Sequence, residues 1–393
     1  MAANVVNYGY HVVMGRLLGP ADYGVLLSIF SLLYIVSIVP LSTSISIVKF
    51  ISTAKDEDVG SVYDGIKKFI YKIAFIGSLL LLLLAYPIST FLHISNILLV
   101  LMVSPVMFFS LVTLVDQATL QGLMKFGGVV IPNMISSVGK LGLGILFIFL
   151  GWSVLGATFA IFLSVFLAWI YVRSVIPVSL RGGVRVNFNL APFIKFSLPA
   201  LLQALAFTSL ITTDVLLAKH FLSDFDAGLY GSLAMLGKII YFAASPVVGV
   251  LFPIVSKRHS NKENYRHIFL VALFMTLGIS LGVLMIYLLM PGFVIRFSYG
   301  QKYLVAQNLL FLMGLTLSIY TLCYLLVNYL LSMNQVKVVV LPILAALFQP
   351  VLIFIFWHGS IFQIIMSSLF SMSILLVLVI VFFKVGLPKY VKS

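Results

Sequence analysis

Long apolar runs separated by short polar connections set the plan of this chain. Runs such as Ile73–Tyr86 and Ile374–Phe383 carry no charge and do not alternate in polarity, so they read as helices and not as the strands of a barrel. A bilayer core of about 30 Å is crossed by roughly 20 apolar residues in a helix, which satisfies its own backbone groups. By that measure the pattern predicts twelve spans, near 4–18, 25–50, 69–92, 96–122, 128–150, 153–173, 192–218, 228–256, 266–290, 303–331, 335–357 and 360–384. The first is short, with about fourteen residues before Gly15. The longest connections, Ser52–Lys68 and Ser174–Ala191, are too short to fold as domains.

Composition agrees with an all-α polytopic membrane protein. Of 393 residues, 62% are hydrophobic and 9% charged, and the mean hydropathy is +1.20. Soluble domains carry about 25% charged residues. A net charge of +14 would suggest a nucleic-acid partner in a soluble chain, but its placement makes it a topology signal. With both termini cytoplasmic, the loop Lys and Arg residues divide eighteen inside to four outside, and Lys140 and Lys238 fall within spans. The expectation is a multi-pass protein of the cytoplasmic (inner) membrane that binds no nucleic acid. The single cysteine, Cys323, gives neither a disulfide framework nor a metal motif, and no cofactor is expected. The start, MAANVVNYGYHVV, has no basic n-region of a cleavable signal.

An internal repeat divides the spans. ADYGVLLSI (Ala21–Ile29) sets against FDAGLYGSL (Phe225–Leu233), Pro40 against Pro246, and GLMKFGGVVIP (Gly122–Pro132) against SMNQVKVVVLP (Ser332–Pro342). The expected organisation is two six-helix lobes related as parallel repeats: residues 1–173, a cytoplasmic linker 174–191, and residues 192–393. A site at the interface of such halves is a recurrent transporter plan.

Four ionisable residues fall inside spans: Asp116, Lys140, Asp214 and Lys238. A charge at mid-helix costs roughly 2.5–3.5 kcal/mol on the insertion scale, so these residues should face a bundle interior or a wet cavity. Lys140 shares a narrow polar face with Asn133, Ser136, Ser137 and Gly144, while the stripe around Asp214 is apolar, with Phe207, Leu210 and Ala218. Lys238 is accompanied by Tyr241 and Ser245. In the first span Asn4, Asn7, Tyr8, His11 and Gly15 share a face, and in the tenth Thr321, Tyr324, Asn328 and Ser332 do.

Each of these residues has a structural alternative. Either lysine could serve only as the ion-pair partner of Asp116 or Asp214. The acids could be paired or cap helices, and His11 could be a hydrogen-bonded interior residue. Arg16 could be a snorkelling residue at the interface. The charges do not repeat between the halves, since Lys238 sets against Tyr34, Asp116 against Leu326 and Lys140 against Pro350. That asymmetry favours a role beyond shared architecture.

RLLGPADYG after the first span, TTDVLLA in the seventh and GLYGSLAMLGK in the eighth resemble the polysaccharide and O-antigen flippases of the multidrug/oligosaccharidyl-lipid/polysaccharide exporter superfamily. The resemblance covers essentially the whole chain. It implies a V-shaped pair of six-helix lobes around a cationic cavity. Through that cavity polyprenyl-diphosphate-linked oligosaccharides would pass to the outer leaflet by alternating access, for cell-surface polysaccharide assembly. Asp214 falls at the acidic position of TTDVLLA, Lys238 at the basic position of GLYGSLAMLGK, and Arg16 at the basic residue of RLLG.

The sequence therefore points to a transporter and not an enzyme, with no catalytic residues. Lys140, Lys238 and Arg16 would bind the anionic substrate. Asp214, Asp116 and His11 would couple transport to H+ or Na+, and Asn4, Asn7, Asn133, Tyr241, Tyr324 and Asn328 would line the cavity. The expected partners are the lipid-linked oligosaccharide, membrane lipids, and a glycan polymerase or glycosyltransferases. A cation-coupled drug antiporter fits less well, because the two spanning acids are balanced by two lysines. A lipid II substrate also fits less well, since flippases for it carry more spans and more lumenal arginines. A membrane-embedded polysaccharide polymerase or transferase would need catalytic polar residues on a long outer loop. The outer connections here, near His93–Asn96, Gly151–Trp152 and Ser298–Lys302, are short.

Overall fold

Helices that cross lipid carry large apolar side chains on their outer faces as well as in their core, and gather their polar positions inside. The computed structural model describes the backbone of residues 2–54, 58–177, 180 and 191–386, and no strand occurs among them. Linker residues 178, 179 and 181–190 lie outside the described residues, as do the side chains of Asn4 and Pro40. The chain forms two compact units, Met1–Ala204 and Leu205–Ser393.

The first unit opens with α1 (Ala2–Thr53), which is interrupted at Gly19, where φ is 75° and ψ 175°. That conformation is open to glycine and strained for other residues. It falls between the first two predicted spans. After it come α2 (Val59–Leu83), α3 (Ala85–Phe91), α4 (Ile97–Leu101), α5 (Val103–Gly122), α6 (Gly127–Phe149) and α7 (Ser153–Val175). Among the described residues ten helices are long and apolar enough to cross a membrane, or eleven with the bent pair α2 and α3 counted as one span. The count falls short of twelve partly because both arms of α1 run together as Val5–Ser37.

Helix α5 is the core of this unit, buried on nearly every face. Gly122 lets α1 approach it closely: a Cβ there would lie 2.8 Å from the Ile51 side chain and 3.2 Å from the Val48 carbonyl oxygen. Such small-residue contacts drive association where lipid offers no hydrophobic gain. Ser78 of α2 and Ser104 of α5 exchange hydrogen bonds with each other's carbonyls, at 3.1 and 2.7 Å.

Helix α8 (Ala191–Leu210) leads into the second unit, which continues with α9 (Thr213–Phe221), α10 (Asp224–Ser260), α11 (Arg266–Leu289), α12 (Pro291–Ser298), α13 (Leu310–Ser332), α14 (Val340–Ile355) and α15 (Ile361–Gly386). On α11 the buried positions are Phe269, Ala272, Thr276, Ser280, Leu284 and Tyr287, at helical spacing, while Phe274, Leu281, Met285 and Leu288 face outward. Helix α13 is the core here, and Cys323 on it is fully buried, with its thiol 3.8 Å from the Met372 carbonyl oxygen.

Two local features set the depth of the polar residues. The seventh span breaks at Ile211–Thr212, between α8 and α9. There Thr212 bonds its hydroxyl back to the Thr208 carbonyl at 2.7 Å, and Ser209 and Thr213 pair at 2.9 Å. Such hydroxyls offer the backbone an alternative to the helical ladder. Beyond α9, Ser223 caps α10 by accepting the Asp226 N–H at 3.1 Å while Asp226 takes the Ser223 hydroxyl at 2.9 Å, a reciprocal cap. Lys219, expected as an outer-loop charge, is instead buried to 1% exposure and paired with Asp224.

Candidate functional site

The helix break in the second unit positions Asp214. It stands in the first turn of α9, where unsatisfied N–H groups and the helix dipole favour negative charge. Its Oδ1 accepts the Val215 N–H at 2.8 Å, and its Oδ2 accepts the Tyr230 hydroxyl at 2.6 Å. Ser368 of α15 lies against that same hydroxyl. Gln349 of α14 donates through Nε2 to Ser368 at 2.8 Å and to the Leu210 carbonyl, freed by the break, at 3.2 Å. Among the described residues, the Oε1 of Gln349 and the hydroxyls of Ser367 and Ser371 have no hydrogen-bond partner, and all three side chains are wholly buried. A carboxylate, a freed backbone carbonyl and an unspent amide oxygen thus gather beside an unwound stretch of a membrane span.

Lys238 lies eight residues beyond Tyr230 on α10, about 12 Å along the axis by helix rise. It is buried and interacts electrostatically with Asp214, but no ion pair joins the two among the described residues. One turn further, Tyr241 meets Tyr320 and Tyr324 edge-on, with both centroids at 5.3 Å. Phe207 closes this aromatic group from α8, its carbonyl accepting the Tyr320 hydroxyl at 3.1 Å. Asn328 turns its amide onto the Tyr324 carbonyl at 2.8 Å, so it supports the helix that carries the aromatics.

In the first unit Lys140 reaches from α6 over two rings of α1, Tyr10 at 4.9 Å and Phe30 at 5.2 Å. Among the described residues of its own unit it has no carboxylate partner, since Asp116 is engaged by Arg173 instead. Those two rings also flank His11, and the Tyr23 hydroxyl stands 3.4 Å from its Nδ1. Gly144 makes room, since a Cβ there would come within 3.3 Å of Tyr10. The polar face predicted around Lys140 is divided: Ser137 and Gly144 are buried, while Asn133 is exposed and accepts from Gln117 at 3.3 Å. Asn7 is half-buried, and Arg16 is exposed one turn before the Gly19 break.

Asp116 belongs to a different cluster. It is fully buried in α5, where it accepts the Tyr63 hydroxyl at 2.7 Å, with Arg173 of α7 at 3.9 Å. Arg173 also donates to Tyr63 at 3.2 Å. Tyr63, Arg173, Tyr230, Gln349 and Ser368 were not singled out by sequence reasoning. Arg173 was counted as a loop cation. The only local trace of Tyr230 is its place in the GLYGSLAMLGK turn.

The arrangement offers an ion buried charges of both signs and a break in a span that frees backbone oxygens. Among solved structures, the lipid II flippase MurJ in an inward closed conformation matches 98% of this chain and 87% of its own, at 15% identity and a TM-score of 0.77. An inward-facing MATE family multidrug resistance transporter of the MOP superfamily matches 95% and 93%, at 14% identity and a TM-score of 0.73. A MOP superfamily transporter from Pyrococcus furiosus matches 97% and 92%, at 16% identity and a TM-score of 0.64. At these identities the likeness is one of fold, and it is the fold of membrane transporters. A comparison with curated proteins found no match. Residues 13–308 match the family described as polysaccharide biosynthesis protein, and the chain belongs to that family.

Proposed function

We propose that this protein flips a polyprenyl-diphosphate-linked oligosaccharide across the cytoplasmic membrane by alternating access. The observation that carries the reading is Lys140, a cation held against two aromatic rings with no carboxylate partner among the described residues. A lysine kept in this way is a point charge available to a phosphate. Lys238, buried on α10 and within electrostatic reach of Asp214, is the corresponding cation of the second unit. Exposed Arg16 would attract the same anion at the membrane surface. Membership of a polysaccharide biosynthesis family supports a glycan-bearing substrate, and the partners would be the glycosyltransferases or polymerase that make and consume it.

Coupling falls to Asp214 in this reading. A proton or sodium ion bound there would be met by the carboxylate, with the backbone oxygens of the helix break and the Gln349 Oε1 close at hand. Asp116, already engaged by Tyr63 and Arg173, drops out of the coupling set and holds α5 to its neighbours. His11 positions the rings beneath Lys140.

Changing Lys140 and Lys238 together to Gln tests the binding role. We expect delivery of lipid-linked glycan to the outer leaflet to fall at least about tenfold, the scale of losing phosphate contacts from two cations. Protein level in the membrane should stay unchanged. Delivery at the normal rate would remove both lysines from the substrate path.

A further inference from the structure

A groove of about 330 Å³ runs along the second unit between α10 and α11, lined wholly by apolar residues, among them Pro246, Val250, Ile254, Ile268, Val271 and Met275. Pro246 and Pro253 each remove a backbone donor from α10 beside it. The groove has one polar end. Lys257 and Arg258 follow Ile254 by three and four residues, so they continue the stripe that lines it by one further turn. With Lys262 and Arg266 they put four exposed cations on the α10–α11 connection against one carboxylate, Glu263. Arg258 is held in place there, its Nε 3.8 Å from Glu263 and its Nη1 donating to the Asn264 carbonyl at 3.1 Å. At the opposite end α11 carries no charge from Met275 to Leu289.

We infer that this groove holds the isoprenoid chain of the lipid carrier next to its diphosphate, with the cations of the α10–α11 connection facing the phosphates. The inference rests on the flippase reading and names a subsite for its substrate. An apolar trough with a cationic mouth at one end is complementary to a single-chain amphiphile with an anionic head. Four cations against one carboxylate exceed what a single phosphodiester would neutralise and suit the greater charge of a diphosphate. The mouth lies on the side where the basic residues concentrate. By the basic-residue rule that side is cytoplasmic, the leaflet from which a carrier would be collected.

The test uses the full chain in phosphatidylcholine nanodiscs with a polyprenyl diphosphate that carries a benzophenone on its tail. We expect photo-adducts to concentrate on Val250, Ile254, Val271 and Met275, and to be displaced by unlabelled polyprenyl diphosphate but not by phosphatidylglycerol. Lys257→Gln and Arg258→Gln are exposed changes that should each lower the adduct yield about fivefold, the effect of one surface cation near an anionic lipid. Val250→Trp, which fills the trough, should lower it as far without touching the cations. Adducts spread evenly over the lipid-facing surface, or equal displacement by phosphatidylglycerol, would make the groove a seat for ordinary membrane lipid and overturn the inference. So would an unchanged yield in Val250→Trp. The two readings fail separately. Groove labelling in a protein that moves no lipid-linked glycan sinks the flippase reading alone. Flipping that is lost in the Lys140 and Lys238 variant but normal in Val250→Trp sinks the groove alone.

Discussion

With Asp214 as the proposed coupling residue, Asp214→Asn should abolish the dependence of transport on an imposed cation gradient while the protein stays folded. Asparagine has one oxygen where aspartate has two: that oxygen can still accept the Val215 N–H, while the amide group can donate to the Tyr230 oxygen, so the contact of α9 with α10 can survive. What disappears is the carboxylate at the break in the seventh span, and with it the proposed partner for a proton or sodium ion. In proteoliposomes the wild-type rate should rise when a sodium or proton gradient is imposed, and the variant's rate should be the same with and without it. Asp214→Ala should add a stability defect, because the buried Tyr230 hydroxyl loses its acceptor, at a cost of about 1–3 kcal/mol. A gradient response that persists in Asp214→Asn would place the coupling ion elsewhere.

The second large effect is on folding. Arg173→Met leaves the wholly buried Asp116 carboxylate with Tyr63 but without its cation. Breaking a fully buried pair costs about 3–5 kcal/mol, because a charge is stranded in a poor solvent. Arg173 is one-third exposed and stands 3.9 Å away, so solvent screening reduces this to about 2 kcal/mol. Unfolding in detergent should show Arg173→Met well below wild type, and the double variant Asp116→Asn with Arg173→Met should recover part of the loss. The recovery separates a charge relationship from simple packing. Additive losses in the double variant would mean that the two residues act independently.

The helices were legible in the sequence because lipid solubility demands long apolar runs, and the left-handed joint falls at Gly19, between two predicted spans. The site was legible only in part. Lys140, Asp214 and Lys238 declared themselves by the cost of a charge inside a span. Their surroundings did not, because partners across helices leave no trace in local spacing: Asp116 meets Arg173 from α7, and Asp214 meets Tyr230 from α10. The apolar stripe assigned to Asp214 assumed one continuous helix through residues 207–218. The break at Ile211–Thr212 resets the phase and turns the carboxylate toward Tyr230. Lys219 misled for a related reason, since its position beside a polar connection concealed a buried ammonium that ties α9 to the start of α10.

The burial of Cys323 has a practical consequence. It is the sole thiol of 393 residues, and it lies fully enclosed between α13 and α15. Water-soluble maleimides should therefore leave the native chain unlabelled. Single cysteines introduced along α10 and α11 would be the only reactive positions, so their changing reactivity could follow the transport cycle on an otherwise unaltered sequence.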